Sequence, residues 1–133
     1  VFLGGWGGTW GRFEKYFGDY LLYTKRMHLQ NPGPAKIFVF LDMREDSIDV
    51  GDFAVKMAGY PNNPKLYGFY DLPGMYHNLS GSFSFADGHS EIKRWRDVRT
   101  TPPLVTGAMV NDEFDSPDNV DVAWIQEHAT RPK

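Results

Sequence analysis

Ser82-Phe83-Ser84-Phe85 alternates hydroxyl and aromatic side chains and then runs into Asp87-Gly88. Alternation at every second residue puts both rings on one face of a strand and both hydroxyls on the other. Gly88 lacks a Cβ and tolerates a positive φ, so Asp87-Gly88 supplies the pair a tight hairpin turn needs. The run from Ser90 to Trp95 can then return beside the first. The segment predicts a β-hairpin with one buried face and His77 at its entrance. A hairpin of this kind is marginal alone and must find further strands or a helix to cover its rings.

The rest of the chain offers those partners in short pieces. Ile37 to Asp42 is dense in β-branched and aromatic residues and predicts a third strand in the same antiparallel sheet. Phe53 to Met57 reads as another short strand, and Tyr60 to Gly74, with Pro61, Pro64 and Pro73, as ordered loop. Tyr16 to Gln30 mixes aromatics and charges and predicts a short helix stopped by Pro32 and Pro34. Thr100 to Pro117 is loop. Asp118 or Asn119 then caps a last helix through about His128, with Asp121 in its favoured first turn. Strands followed by one terminal helix predict an α+β fold: a small antiparallel sheet, loop-rich, with a short C-terminal helix.

Composition narrows the function classes. Residues 1–133 have the length of one domain able to bury a core. A net charge of −3 gives no basic footprint for nucleic acid. With no cysteine there are no disulfide staples and no thiolate metal sites. Aromatic content of 16%, with 14 glycines and 9 prolines, suits a domain whose core or interfaces are closed by large rings.

The spacing His77-x9-Asp87-Gly88 carries a resemblance. The chain resembles the C-terminal part of bacterial prepilin-like proteins that end in a His-x9-Asp-Gly domain, relatives of the pseudopilins of type II secretion. Three blocks carry the likeness: Ile37 to Val55 (IFVFLDMREDSIDVGDFAV), Tyr67 to Asp97, and Asp118 to Lys133 (DNVDVAWIQEHATRPK). Together they span about half of the chain. The resemblance implies a pilin-like globular head, a structural and non-catalytic role in a pilus- or pseudopilus-like assembly, and other pilin-like subunits as partners in a homo-oligomeric filament. It also implies a location in the cell envelope or outside the cell. Prepilins begin with a basic leader and an apolar helix of about 20 residues. Val1-Phe2-Leu3 leads straight into Gly4-Gly5-Trp6-Gly7-Gly8 with no such stretch, so the chain is expected to be the head of a longer protein or a relative without its anchor, with membrane attachment only through a missing N-terminal helix. Such a helix would pack on the sheet.

Several residues are candidates for chemistry. The acidic loop DMREDSIDVGD offers Asp42, Asp46 and Asp49, with Ser47, Gly51 and Asp52. Calcium takes about six to eight oxygen ligands, and a loop this rich in Asp can supply them. The resemblance to calcium-bearing major pseudopilins points the same way, although the EF-hand order is not matched. The competing account makes Asp42 and Asp46 acceptors for backbone amides and partners of Arg44 or another cation. Asp112, Asp115, Asp118 and Asp121 form a second acidic series, explained by capping, dipole and solvation. His77 is expected buried, its ring bonded to a carbonyl or to Asp87 across the hairpin, in preference to acting as a metal ligand or base. His89 is expected exposed; His28 and His128 lack partners at ligand spacing. Asn78-Leu79-Ser80 matches the glycosylation sequon, expected to be a chance match in the bacterial chain that the resemblance implies. Lys93, Arg94 and Arg96, with Trp95 between them and Arg99 nearby, form a basic cluster suited to a subunit contact or to the acidic loop.

No H-E-x-x-H, G-x-S-x-G, Walker loop or cysteine pair is present, so no catalytic constellation is predicted. The alternative to a structural subunit is a binding module for an envelope or extracellular polysaccharide. It would use Trp6, Trp10, Tyr67 and Tyr70 as exposed aromatic platforms.

Overall fold

In a computed structural model, residues 19–21, 23, 25–48, 52–110 and 113–133 are described. The predicted hairpin forms as β3 (Ser80–Phe85) and β4 (Ser90–Arg94), and the earlier strand as β1 (Phe38–Leu41). They make one antiparallel sheet in the order β1-β3-β4, with Phe38 opposite Phe85, Leu41 opposite Phe83 and Ser82 opposite Ile92. The turn differs by one residue from expectation. Gly88 N–H donates to Phe85 O at 2.9 Å and Phe85 N–H to His89 O at 2.9 Å, so Ala86 and Asp87 form its centre. Gly88 follows at φ +97°, a conformation that a Cβ would strain.

Alternation then sorts the sheet into two faces. Phe38, Phe83 and Phe85 point inward onto the helix α1 (Val120–Glu127), where Trp124 meets Phe83 edge-on with centroids 4.9 Å apart. Trp95, just past β4, meets Phe83 edge-on at 5.9 Å and donates its indole N–H to Gly74 O at 2.8 Å. Val122 and Ile125 complete this core from the helix. On the opposite face the central strand presents Ser82 and Ser84, part-exposed, between Phe40 on β1 and Ile92 on β4, with Ser80 buried at its start. Phe40 and Ile92 are 69% and 66% exposed. The described chain covers one face of the sheet and leaves the other open.

The terminal helix is capped as predicted. Asn119 Oδ1 accepts from Asp121 N–H at 2.8 Å and from Val122 N–H at 3.4 Å. Asp121 does more than favour the helix dipole: it is fully buried, and its Oδ2 accepts the Arg96 and Asp97 amides and the Thr100 hydroxyl. It thereby nails the segment after β4 to the helix start.

Other expectations change. Phe53 to Met57 is not a strand, because its backbone is taken by side chains: Ala54 N–H donates to Asp71, and Gln126 Nε2 donates to Lys56 O and Ala58 O. A two-residue pairing arises instead between β2 (Gly68–Phe69) and β5 (Phe114–Asp115), inside segments that read as loop. Within Tyr16 to Gln30 the described helix is the 3-10 turn Arg26–Gln30; Tyr16 to Gly18, Leu22 and Thr24 lie outside the described residues.

Candidate functional site

A cleft of about 480 Å³ lies at the end of β1, walled by Phe40, Ile48, Phe53 and Tyr76, with Asp42 and His77 among its polar groups. Its geometry begins at Asp42, where β1 leaves the ladder. Asp42 N–H still donates to Ser82 O at 3.1 Å, but its carbonyl turns away to accept Gly74 N–H at 2.7 Å. The Asp42 carboxylate takes over the vacated partner, accepting Ser82 N–H at 3.2 Å through Oδ2. A glycine is required at 74 for this approach, since a Cβ there would lie 2.7 Å from the Asp42 Cβ.

His77 stands beside this carboxylate, Nε2 to Oδ2 3.5 Å, with its side chain 54% exposed. Both points correct the expectation of a buried ring tied to Asp87. The reason is length. The six residues of β3 at about 3.4 Å each carry Asp87 roughly 20 Å from the hairpin entrance, so the two ends of the His-x9-Asp-Gly spacing cannot meet. Asp87 pairs within the turn instead, its Oδ1 2.6 Å from His89 Nδ1 and accepting His89 N–H at 3.1 Å. That hydrogen bond holds the Asp87 carboxyl below its ordinary value. The His89 ring stacks on Phe85 at 4.3 Å.

Asp46, only four residues from Asp42, has a different environment. Arg44 is fully buried and forks onto it, Nε to Oδ1 2.8 Å and Nη2 to Oδ2 2.6 Å. The same guanidinium donates to Pro102 O at 2.6 Å and Pro103 O at 3.2 Å, while Asp46 Oδ2 also accepts Val105 N–H at 2.9 Å. The Arg44 hydrogen bonds hold the Asp46 carboxyl below its usual range. Nearby, the Tyr76 hydroxyl donates to Glu45, lowering that carboxyl.

Two of the three carboxylates expected at a calcium site, Asp42 and Asp46, are described and have protein partners. Both oxygens of Asp46 are engaged by Arg44, and Asp42 Oδ2 accepts Ser82 N–H and faces His77. Among the described residues no three carboxylate or imidazole groups converge. Asp49 lies outside the described residues.

The second acidic series is dispersed onto separate cations. Asp115 pairs with Lys56 at 2.8 Å, Asp118 with Lys65, and Asp121 with Lys93 at 3.6 Å; Asp112 lies outside the described residues. Burial draws the Lys56 ammonium down, but its bonds to Asp115 and Glu113 outweigh that and leave it raised. The basic cluster divides too. Lys93 lies over the Trp95 and Trp124 rings at 5.9 and 5.4 Å, and Arg99 forks onto Asp97. Arg94 and Arg96 remain exposed. Asn78 is exposed in the turn before β3 at φ 54°. Tyr67 is buried in the core and Tyr70 half-buried, while Trp6 and Trp10 lie outside the described residues.

Sequence reasoning named Asp42 and His77 separately but missed that they meet, and missed Tyr76, Phe40 and Ile48 as walls. Exposed aromatics flanking a loop were the available signal. No helix among the described residues is long and apolar enough to cross a membrane. No family model, no curated protein and no solved structure matches this chain. Chemically, the cleft joins aromatic walls to the carboxylates of Asp42 and Asp52, the Tyr76 hydroxyl and the His77 imidazole.

Proposed function

We propose that this chain is a structural, non-catalytic subunit of a pilus- or pseudopilus-like assembly in the cell envelope or at the cell surface. One observation carries the reading: the outer sheet face, with exposed Phe40 and Ile92 on either side of the serine-lined β3. Apolar residues left open on a regular, flat surface suit a contact with another protein surface. The α+β architecture and the His77-x9-Asp87-Gly88 hairpin agree with the head of a prepilin-like protein. A polysaccharide-binding module draws less support, because Tyr67 is inside the core.

The test is made in the cells that produce the protein. Envelope and sheared surface material are separated, and the chain is located by antibody and by electron microscopy. The expected result is enrichment in sheared filaments or in the envelope fraction. Recovery only as dispersed chains in the cytosol would overturn the proposal.

A further inference from the structure

We infer that the outer sheet face pairs two copies of this chain about a two-fold axis, with Arg94 of each copy entering the aromatic and acidic cleft of the other. The inference rests on the subunit reading above and names its partner.

The register supplies the geometry. Asp42 N–H bonds Ser82 O and Ser82 is opposite Ile92, so Asp42 and Ile92 lie level on the two edge strands. Arg94 is opposite Ser80, whose carbonyl accepts His77 N–H at 3.4 Å, so Arg94 and His77 lie level as well. A two-fold axis running along the strands, between two sheets placed face to face, sets β4 of one copy over β1 of the other at the same height. It therefore brings Arg94 of each copy above the Asp42–His77 end of the other copy's cleft, and does so twice. In the same arrangement Phe40 and Ile92 are covered together. A two-fold contact is self-complementary by construction, and this face carries both halves of the complement.

The chemistry matches. The cleft contributes the Asp42 carboxylate and the Phe40, Phe53 and Tyr76 rings, and no described lysine or arginine lines it. A planar guanidinium stacks on such rings and forks onto a carboxylate, which an ammonium does less well. Arg94 is exposed, and its guanidinium has no ion-pair partner among the described residues, unlike Arg44, Arg99 and Arg131. A closed pair does not propagate, so a filament requires a second contact elsewhere on the surface.

The experiment is sedimentation equilibrium of the full chain, 15.2 kDa as a monomer, over micromolar to millimolar concentration at low and high salt. The expected result is a monomer–dimer equilibrium weakened by salt. Arg94→Glu and Asp42→Lys should each raise the dissociation constant at least tenfold. An equimolar mixture of the two should restore dimer, because each contact then pairs opposite charges again. Arg94→Glu changes an exposed side chain, so at concentrations where both are monomeric its melting curve should match the wild type even if Asp42→Lys weakens the fold. A wild type that remains monomeric throughout overturns the inference and leaves the face to another occupant, such as an upstream segment of the same protein. A dimer indifferent to Arg94→Glu overturns it as well. Neither outcome alters the cell-fractionation result, which tests the subunit reading by itself.

Discussion

Asp42 and Asp46 belong to one acidic loop, four residues apart, and the fold treats them in opposite ways. Asp46 is buried against a buried arginine, with both oxygens engaged and the 102–105 segment tied to the same pair. Asp42 is part-exposed, holds a strand end together through Ser82 N–H, and faces a half-exposed histidine in an open cleft. The difference is desolvation. Burying a carboxylate is costly unless its charge and lone pairs are met, so the buried member needs a dedicated partner in near-ideal geometry. The exposed member keeps water as an alternative partner and is left adaptable. Carboxylate density along a chain therefore does not distinguish a clamp from a binding surface.

The sharpest way to break this contrast is to remove one member of the clamp. Asp46→Ala leaves the Arg44 guanidinium buried without its counter-charge and should cost about 3–5 kcal/mol in chemical denaturation. A loss below about 1 kcal/mol would mean that the pair is solvated and the contrast unreal. Next in size is Gly74→Ala. The added Cβ meets the Asp42 Cβ, displacing the end of β1, and a loss of about 1–3 kcal/mol is expected from such overpacking. An unchanged melting curve would show that the Asp42 turn is not confined by Gly74.

Acid tests the clamp. Asp46 is held below its unfolded value by Arg44, so its stabilisation is fully present above the unfolded pKa of about 3.9. It is lost as pH falls from there through the depressed folded value. Wild-type stability should thus decline across that window, and Asp46→Asn should decline less steeply. Parallel acid curves for the two proteins would refute the assignment.

His77→Ala should have a small effect, under about 1 kcal/mol, because exposed ion pairs contribute little. A loss of several kcal/mol would return His77 to the buried role that its motif position suggests. The smallest expected change is with calcium: melting curves with calcium and with chelator should superimpose, since Asp46 is committed to Arg44. Stabilisation by calcium would point to a site built around Asp49.

The hairpin was legible because its signals are local. Phe83 and Phe85 at alternate positions, a turn glycine at 88 and a capping Asn119 each act within a few residues, so spacing alone carries them. Phe53 to Met57 was misread because its amides and carbonyls are claimed by Asp71 and Gln126, distant side chains that no local pattern announces. Arg44 beside Asp46 was readable as a pair, but not its burial, which depends on the 102–105 segment closing over it. The cleft was beyond reach for the same reason.

By itself the sequence determined the antiparallel hairpin, its third strand, the capped terminal helix and the absence of cysteine chemistry. Each of these follows from side-chain period, backbone permission or composition, which are properties of neighbours in the chain. Only the tertiary structure decided that His77 faces Asp42 rather than Asp87, that Asp46 is a buried clamp, and that the described residues leave one face of the sheet open. Those outcomes depend on which distant groups share a desolvated space, and desolvation is set by the folded whole.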